Sequence, residues 1–224
     1  MKKIAALCGF WLACSIGTAN AVPILVDDFN DGVTSGWTAQ NGSVTESGGV
    51  LSGSAFSLVT LDGQSSNTIA VDAISGGSVN YVALVLNYAS LSDNLFVKIQ
   101  DNDFNGLFDT VFFYRGNNGA NALTGSALFY LDFEVEATYF ELTDNGDGTV
   151  AAFVGATNQT FSGTLANTYS GTGVGLGFYG DGLADNFYIE TTTPVPTPVP
   201  EPASLALLGL GLAGLGFARR KKKT

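Results

Sequence analysis

The most constraining feature of this chain is an alternation with a period of two residues. Phe129, Leu131, Phe133 and Val135 interleave with Tyr130, Asp132, Glu134 and Glu136, the pattern of a strand with one buried and one wet face. Runs of the same kind fall at 24–29, 50–61, 68–74, 79–88, 95–100, 110–114, 139–143, 150–154, 174–179 and 186–191. Turn chemistry separates them: Gly76-Gly77, Asn117-Asn118-Gly119, Asn145-Gly146-Asp147-Gly148 and Gly180-Asp181-Gly182, residues that accept the backbone conformations tight turns need. Between positions 22 and 190 there is no helical periodicity, and no unit recurs at a fixed spacing, which argues against a solenoid or propeller. Ten or more short strands in this arrangement predict an all-β fold: a two-sheet antiparallel β-sandwich, of the jelly-roll kind, over residues 22–190.

The two ends do not belong to that pattern. Met1-Lys2-Lys3 precedes an apolar run from Ile4 to Ile16, and Ala19-Asn20-Ala21 follows it. A basic start, a short apolar core and small residues at Ala19 and Ala21 are what a signal peptidase reads, so 1–21 is expected to be a signal helix cleaved after Ala21. The apolar run is too short to suit a retained membrane anchor. A lipoprotein signal through Cys14 is disfavoured by Trp11, where a small aliphatic residue belongs. Cys8 and Cys14 are the only cysteines, so the processed protein carries no disulfide and must be held by its core.

Charge divides the chain in the same way. Of nine basic residues only Lys98 and Arg115 lie between Val22 and Pro198, a segment that holds every Asp and Glu except Glu201. A surface so acidic repels nucleic acid and excludes that class of partner. It suits either divalent cations or plain solubility outside the cell.

From Thr191 to Pro198 the chain becomes a Thr/Pro linker, extended and unable to join a sheet. Residues 199–224 then carry Pro200-Glu201-Pro202, an apolar, glycine-rich segment at 203–218 and a basic end at 219–223. This order resembles the PEP-CTERM sorting signal in all three of its parts. As a helix, 203–218 reaches about 24 Å at ~1.5 Å per residue, short of the ~30 Å hydrocarbon layer, so it reads as a short, transient transmembrane helix. The basic end holds its terminus in the cytoplasm. The resemblance implies recognition by an exosortase, a membrane cysteine protease that cuts near the triplet. It also implies delivery to the surface of a Gram-negative, exopolysaccharide-producing bacterium. The rival reading is a plain C-terminal anchor.

A second resemblance covers most of 22–190. Leu25-Val26-Asp27-Asp28-Phe29-Asn30-Asp31-Gly32 with Gly36-Trp37, the segment 140–149, and Gly175-Leu176-Gly177-Phe178-Tyr179 with Ala184-Asp185-Asn186-Phe187 are similar to concanavalin A-like (laminin G-like) sandwiches. In such folds the first and last strands often pair, which implies that Asp28 approaches Asp185. Sugar binding is the commonest role the resemblance implies.

The residues available for chemistry are few. With no His and no Cys after processing, Ser-His and Cys-His nucleophiles are excluded, and zinc or copper sites are disfavoured. The catalytic candidate is Asp132, Glu134 and Glu136, which on one strand face stand about 6.6 Å apart, near the carboxyl separation glycosidases use. It is similar to the Glu-x-Asp-x-Glu order of laminarinase–lichenase enzymes but departs from it in residue identity, and Trp37 is the only tryptophan after the signal. The metal candidate is Asp101, Asp103, Asn105 and Asp109 with Gly106, matching the first part of a calcium loop. Phe112 stands where its last, bidentate Glu belongs; an ordinary Asx-rich hairpin is the rival. The segment 144–148 suits a glycine turn better than a ligand ring. For stacking on sugar rings the candidates are Trp37, Tyr81, Tyr88, Tyr114 and Tyr179, with Arg115, Asn117 and Asn118 near them in sequence.

The expected protein is therefore exported, surface-sorted and non-catalytic, a carbohydrate-binding module that meets extracellular polysaccharide. It requires no cofactor, with Ca2+ as an option. The rival readings are a structural matrix protein without a specific ligand and a jelly-roll glycosidase.

Overall fold

The computed structural model describes residues 23–190 apart from Ser78, 117–120, 123–127 and 165–168, with backbone alone at 121–122. The expected signal helix with Ala19 and Ala21, the linker, the triplet Pro200-Glu201-Pro202 and the segment 203–218 lie outside these residues, as do Asn117 and Asn118.

Sixteen strands, numbered in chain order, form two eight-stranded sheets among the described residues. The first sheet runs β14 (Gln159–Thr164), β13 (Thr149–Val154), β12 (Ala137–Asp144), β6 (Thr68–Ser75), β16 (Gly182–Glu190), β4 (Val50–Gly53) and β3 (Val44–Ser47), with β1 (Pro23–Asp27) also paired to β16. The second runs β10 (Asn121–Ala122), β9 (Phe108–Arg115), β8 (Asp93–Gln100), β7 (Tyr81–Ser90), β15 (Gly173–Tyr179), β5 (Ser57–Ser65) and β2 (Trp37–Asn41), with β11 (Leu128–Val135) against β9. Every pairing is antiparallel, including that of the first strand with the last, where Pro23 meets Glu190. This is the all-β, two-sheet sandwich the alternation predicts.

Alternate residues of each strand meet between the sheets. Ile69, Val71 and Ala73 of β6 and Phe140 and Leu142 of β12 pack with Val82, Leu84 and Leu86 of β7 and Val97 and Ile99 of β8, all of them fully enclosed. Burying a side chain of this size contributes about 1.5–3 kcal/mol. Trp37 belongs to this core. It is buried against Phe187 and Phe29, with ring centroids at 5.1 and 5.9 Å, and its indole N–H donates to Asp27 at 2.7 Å. It is therefore not a sugar platform.

The structure departs from the alternation at three places. The run 50–61 is two strands in opposite sheets, because the chain turns at Phe56 in a left-handed conformation, φ 55°. Strands β2, β3 and β14 are too polar to announce themselves and are held by pairing with their neighbours. In β11 the register slips between Tyr130 and Val135, five steps along β11 matching two along β9. The excess chain bulges outward. Phe133, expected in the core, is 56 % exposed while Val135 is buried.

Candidate functional site

At one end of the second sheet a cavity of about 240 Å³ opens between strands and loops. Its aromatic wall is built by register. Tyr81 begins β7 and Tyr179 ends β15, and the two are paired residues, so their rings stack with centroids 5.8 Å apart. Phe56, in the turn from β4 to β5, adds a third ring 4.4 Å from Tyr179.

Lys98 stands on the neighbouring strand β8, opposite Ala83 on one side and Phe112 on the other. Its ammonium lies 4.6 Å from the centroid of Tyr81, 5.0 Å from Phe112 and 5.2 Å from Tyr114. Phe112 and Tyr114 are themselves stacked at 5.6 Å. These three rings, one from β7 and two from β9, attract the cation through their π faces but do not replace water's hydrogen bonds. Burial accordingly lowers the Lys98 ammonium from the usual lysine value to about 8. The same burial, with the neighbouring Tyr179 and Tyr114, raises the Tyr81 phenol well above its ordinary range, and burial raises Tyr114.

The polar wall comes from Asn80, Gln100 and Asp101. Asn80 is 1 % exposed; its amide N–H groups donate to Ser75 Oγ at 2.8 Å and to the Gly77 carbonyl. Its Oδ1, like Oε1 of Gln100, is buried with no hydrogen-bond donor among the described residues. Each such acceptor costs about 1–3 kcal/mol. The rim adds strain. Phe56 and Val79 line the cavity, are 44 % and 38 % exposed, and hold left-handed backbones at φ 55° and 58°. For a β-branched residue that conformation is a true outlier, at about 1–3 kcal/mol.

The loop expected to hold calcium is the scaffold of this cavity. Asp101 is 1 % exposed and its carboxylate accepts four backbone N–H groups: Phe104 at 2.7 Å, Asn105 at 3.2 Å, Gly106 at 2.9 Å and Val79 at 3.2 Å. That uses the roughly four lone-pair sites a carboxylate has. Asp109 accepts Asn102 N–H, Asn105 accepts Leu107 N–H, and Asp103 accepts the backbone and side-chain N–H groups of Asn105. Among the described residues no group of three or more acidic side chains is placed to hold a metal. Most of these bonds come from the loop's own backbone, the geometry of an Asx clamp. The segment 144–148 is likewise a turn, with Asp144 and Asp147 capping Gly146 and Thr149.

Asp132, Glu134 and Glu136 are not a row on one regularly paired strand. The first two sit in the bulge of β11, Glu136 lies between β11 and β12, and all three are exposed. None lines the cavity. Of the other expected contacts, Tyr88 donates to Gln40 Oε1 at 3.1 Å and Arg115 pairs with Asp93 at 2.9 Å. The pairing of β1 with β16 brings Asp28 into the field of Asp185, whose carboxyl is raised by burial first, then by Asp72 and Asp28.

Sequence reasoning found Tyr81 and Tyr179 as candidates, but not their partners Phe56, Asn80 and Gln100. Lys98 carried a usable signal, a lone cation inside the apolar run 95–100 of an acidic domain.

Residues 198–222 match the PEP-CTERM protein-sorting motif, which implies export, exosortase processing and sorting to the cell surface. No curated protein matches the chain in sequence. Among solved structures it is similar to the carbohydrate-binding module CBM66 from Bacillus subtilis, at 15 % identity and TM-score 0.52 over 69 % of this chain and 92 % of that one. It is similar to the β-glucanase of Bacillus licheniformis at 10 % identity and TM-score 0.53, over 78 % of this chain and 100 % of that one. A prokaryotic β-1,3-1,4-glucanase (lichenase) derived from a mouse hindgut metagenome shares 8 % identity at TM-score 0.52, over 74 % and 98 % of the two chains. These likenesses make the fold concanavalin A-like; at such identities they speak of fold alone.

Proposed function

We propose that this sorted β-sandwich binds carbohydrate, without cleaving it, in the cavity beside Tyr81 and Tyr179, and so attaches to polysaccharide outside the cell. One observation carries the reading: exposed aromatic and apolar side chains on strained backbone border buried oxygens that lack donors. Rings offer flat faces to a pyranose, and sugar hydroxyls are the donors that Asn80 Oδ1 and Gln100 Oε1 need. A structural role alone gives no reason to expose Phe56 and Val79 at positive φ. The likeness to a module that binds carbohydrate agrees with this reading without deciding it.

Asp132, Glu134 and Glu136 support no hydrolytic step in this reading, because two carboxyl groups must flank one bond inside a cleft and these are exposed on a bulged edge strand. Affinity electrophoresis of the full chain through gels containing the producer's extracellular polysaccharide or a β-glucan tests the proposal. Retardation is expected, and Phe56→Ala and Tyr179→Ala should each abolish most of it. Migration unchanged by every polysaccharide would leave the structural matrix reading as the better one. Release of reducing sugar by wild type but not by Glu134→Gln with Glu136→Gln would establish the glycosidase.

A further inference from the structure

The cavity's ligand is further constrained by Lys98. Among the described residues Arg115 and Asp93 form the one salt bridge, and Lys98 is held by rings instead of by an acid. It is one of two basic residues between positions 22 and 198. A domain so rich in carboxylates could have supplied a counter-ion; the groups against this ammonium are the rings of Tyr81, Phe112 and Tyr114 instead. Asp101, the acidic residue lining the same cavity, turns its oxygens to four backbone N–H groups.

Resting on the carbohydrate-binding reading, we infer that the sugar taken by this cavity is acidic: a pyranose bearing a carboxylate, which meets Lys98 while its hydroxyls donate to Asn80 and Gln100. Three residues that line one cavity carry unmet requirements: Lys98 is a cation without an anion, and Asn80 and Gln100 each hold a buried acceptor without a donor among the described residues. A hexuronate supplies all three, whereas a neutral hexose supplies only the hydroxyls. At about 240 Å³ the space equals roughly eight waters at ~30 Å³ each, which suits one sugar unit with the rest of its polymer outside. Placing the carboxylate against Lys98 replaces part of the hydration the ammonium loses on burial, and charge-assisted hydrogen bonds are about twice as strong as neutral ones. Negative charge over the rest of the domain opposes an acidic polymer, so the attraction is local to this cavity, and added salt screens the long-range repulsion more than the buried contact.

The experiment compares methyl glucuronide with methyl glucoside, by calorimetric titration into the full chain, for wild type and Lys98→Met. The inference expects the glucuronide to bind wild type at least tenfold more tightly, and the preference to vanish in Lys98→Met. The preference should also fall as the pH rises through 8, where Lys98 loses its proton. The groups packed against the Lys98 ammonium are Tyr81 of β7 and Phe112 and Tyr114 of β9, of which the two phenols can titrate. The phenols of Tyr81 and Tyr114 are pushed up, away from that range, so the ammonium is the group that titrates there. Equal binding of the two glycosides by wild type would overturn the acidic-sugar inference and leave the carbohydrate reading standing. A glucuronide preference that survives Lys98→Met would overturn the assignment to Lys98. Binding of neither glycoside, together with no retardation by any polysaccharide, would remove both.

Discussion

The carboxylate of Asp101 accepts the backbone N–H of Val79 at 3.2 Å, tying the loop before β7 to the loop after β8. Because the same carboxylate also receives Phe104, Asn105 and Gly106, one buried side chain fixes both polar edges of the cavity. Asp101→Ala strands four N–H groups and should cost about 3 kcal/mol, read as a lower denaturation midpoint. Glycan retardation should weaken with it, since Val79 is no longer held at the rim. EDTA is expected to change neither quantity in wild type, because backbone N–H groups engage both oxygens of Asp101, the central carboxylate of the loop.

Lys98 should be a residue the fold would be more stable without. Its value falls from 10.5 in the unfolded chain to about 8 in the native one. Below pH 8 the native state carries the full cost of a buried charge; between pH 8 and 10.5 the unfolded state binds more protons, so stability rises with pH there. Lys98→Met should therefore gain about 3 kcal/mol at pH 7, and the gain should shrink steadily as the pH approaches 10. Urea denaturation at pH 6, 8 and 9.5 checks both sign and window. A stabilised variant with weakened glycan binding is the signature of a residue kept for its ligand.

Asp185 faces Asp72 directly across β16 and β6. Burial is the main cause that raises the Asp185 carboxyl, and the like charge of Asp72 in register adds to it. A carboxyl raised in the native state costs stability progressively as the pH rises from its unfolded to its native value, costs it in full above that, and costs nothing below the unfolded value. Asp185→Asn should raise Tm at pH 7 and leave it unchanged near pH 3, where both states are protonated. A scanning calorimetry pair at those two pH values decides it.

Gly175 of β15 has no room for a side chain. A Cβ there would fall 2.1 Å from the Val59 carbonyl oxygen of the neighbouring strand β5, and backbone in a paired strand cannot move aside. Gly175→Ala should destabilise by about 3 kcal/mol and, because β15 carries Tyr179 at its end, should reduce glycan retardation at temperatures near the new Tm. Gly146→Ala is a control for space, since nothing lies within 4 Å of its Cβ position, although its φ of 71° still strains any side chain.

What the sequence determined by itself is the part of the protein governed by local, periodic physics. Alternation in 68–74, 139–143 and 150–154 fixes which side chains face the core, since a strand's side chains change sides at every residue. The ordered triplet, apolar segment and basic end at 199–224 are readable because they act in linear order. Tertiary structure alone decided the rest. Whether Trp37 is platform or core depends on Phe29 and Phe187, which reach it from other strands. Whether Asp132, Glu134 and Glu136 form a row on one regularly paired strand depends on a register slip against β9 that leaves no mark in the alternation. The cavity draws Phe56, Asn80, Lys98 and Tyr179 from four separate stretches of chain. Antiparallel pairing in two sheets brings them together, and pairing across such distances is a property of the folded backbone that no local pattern encodes.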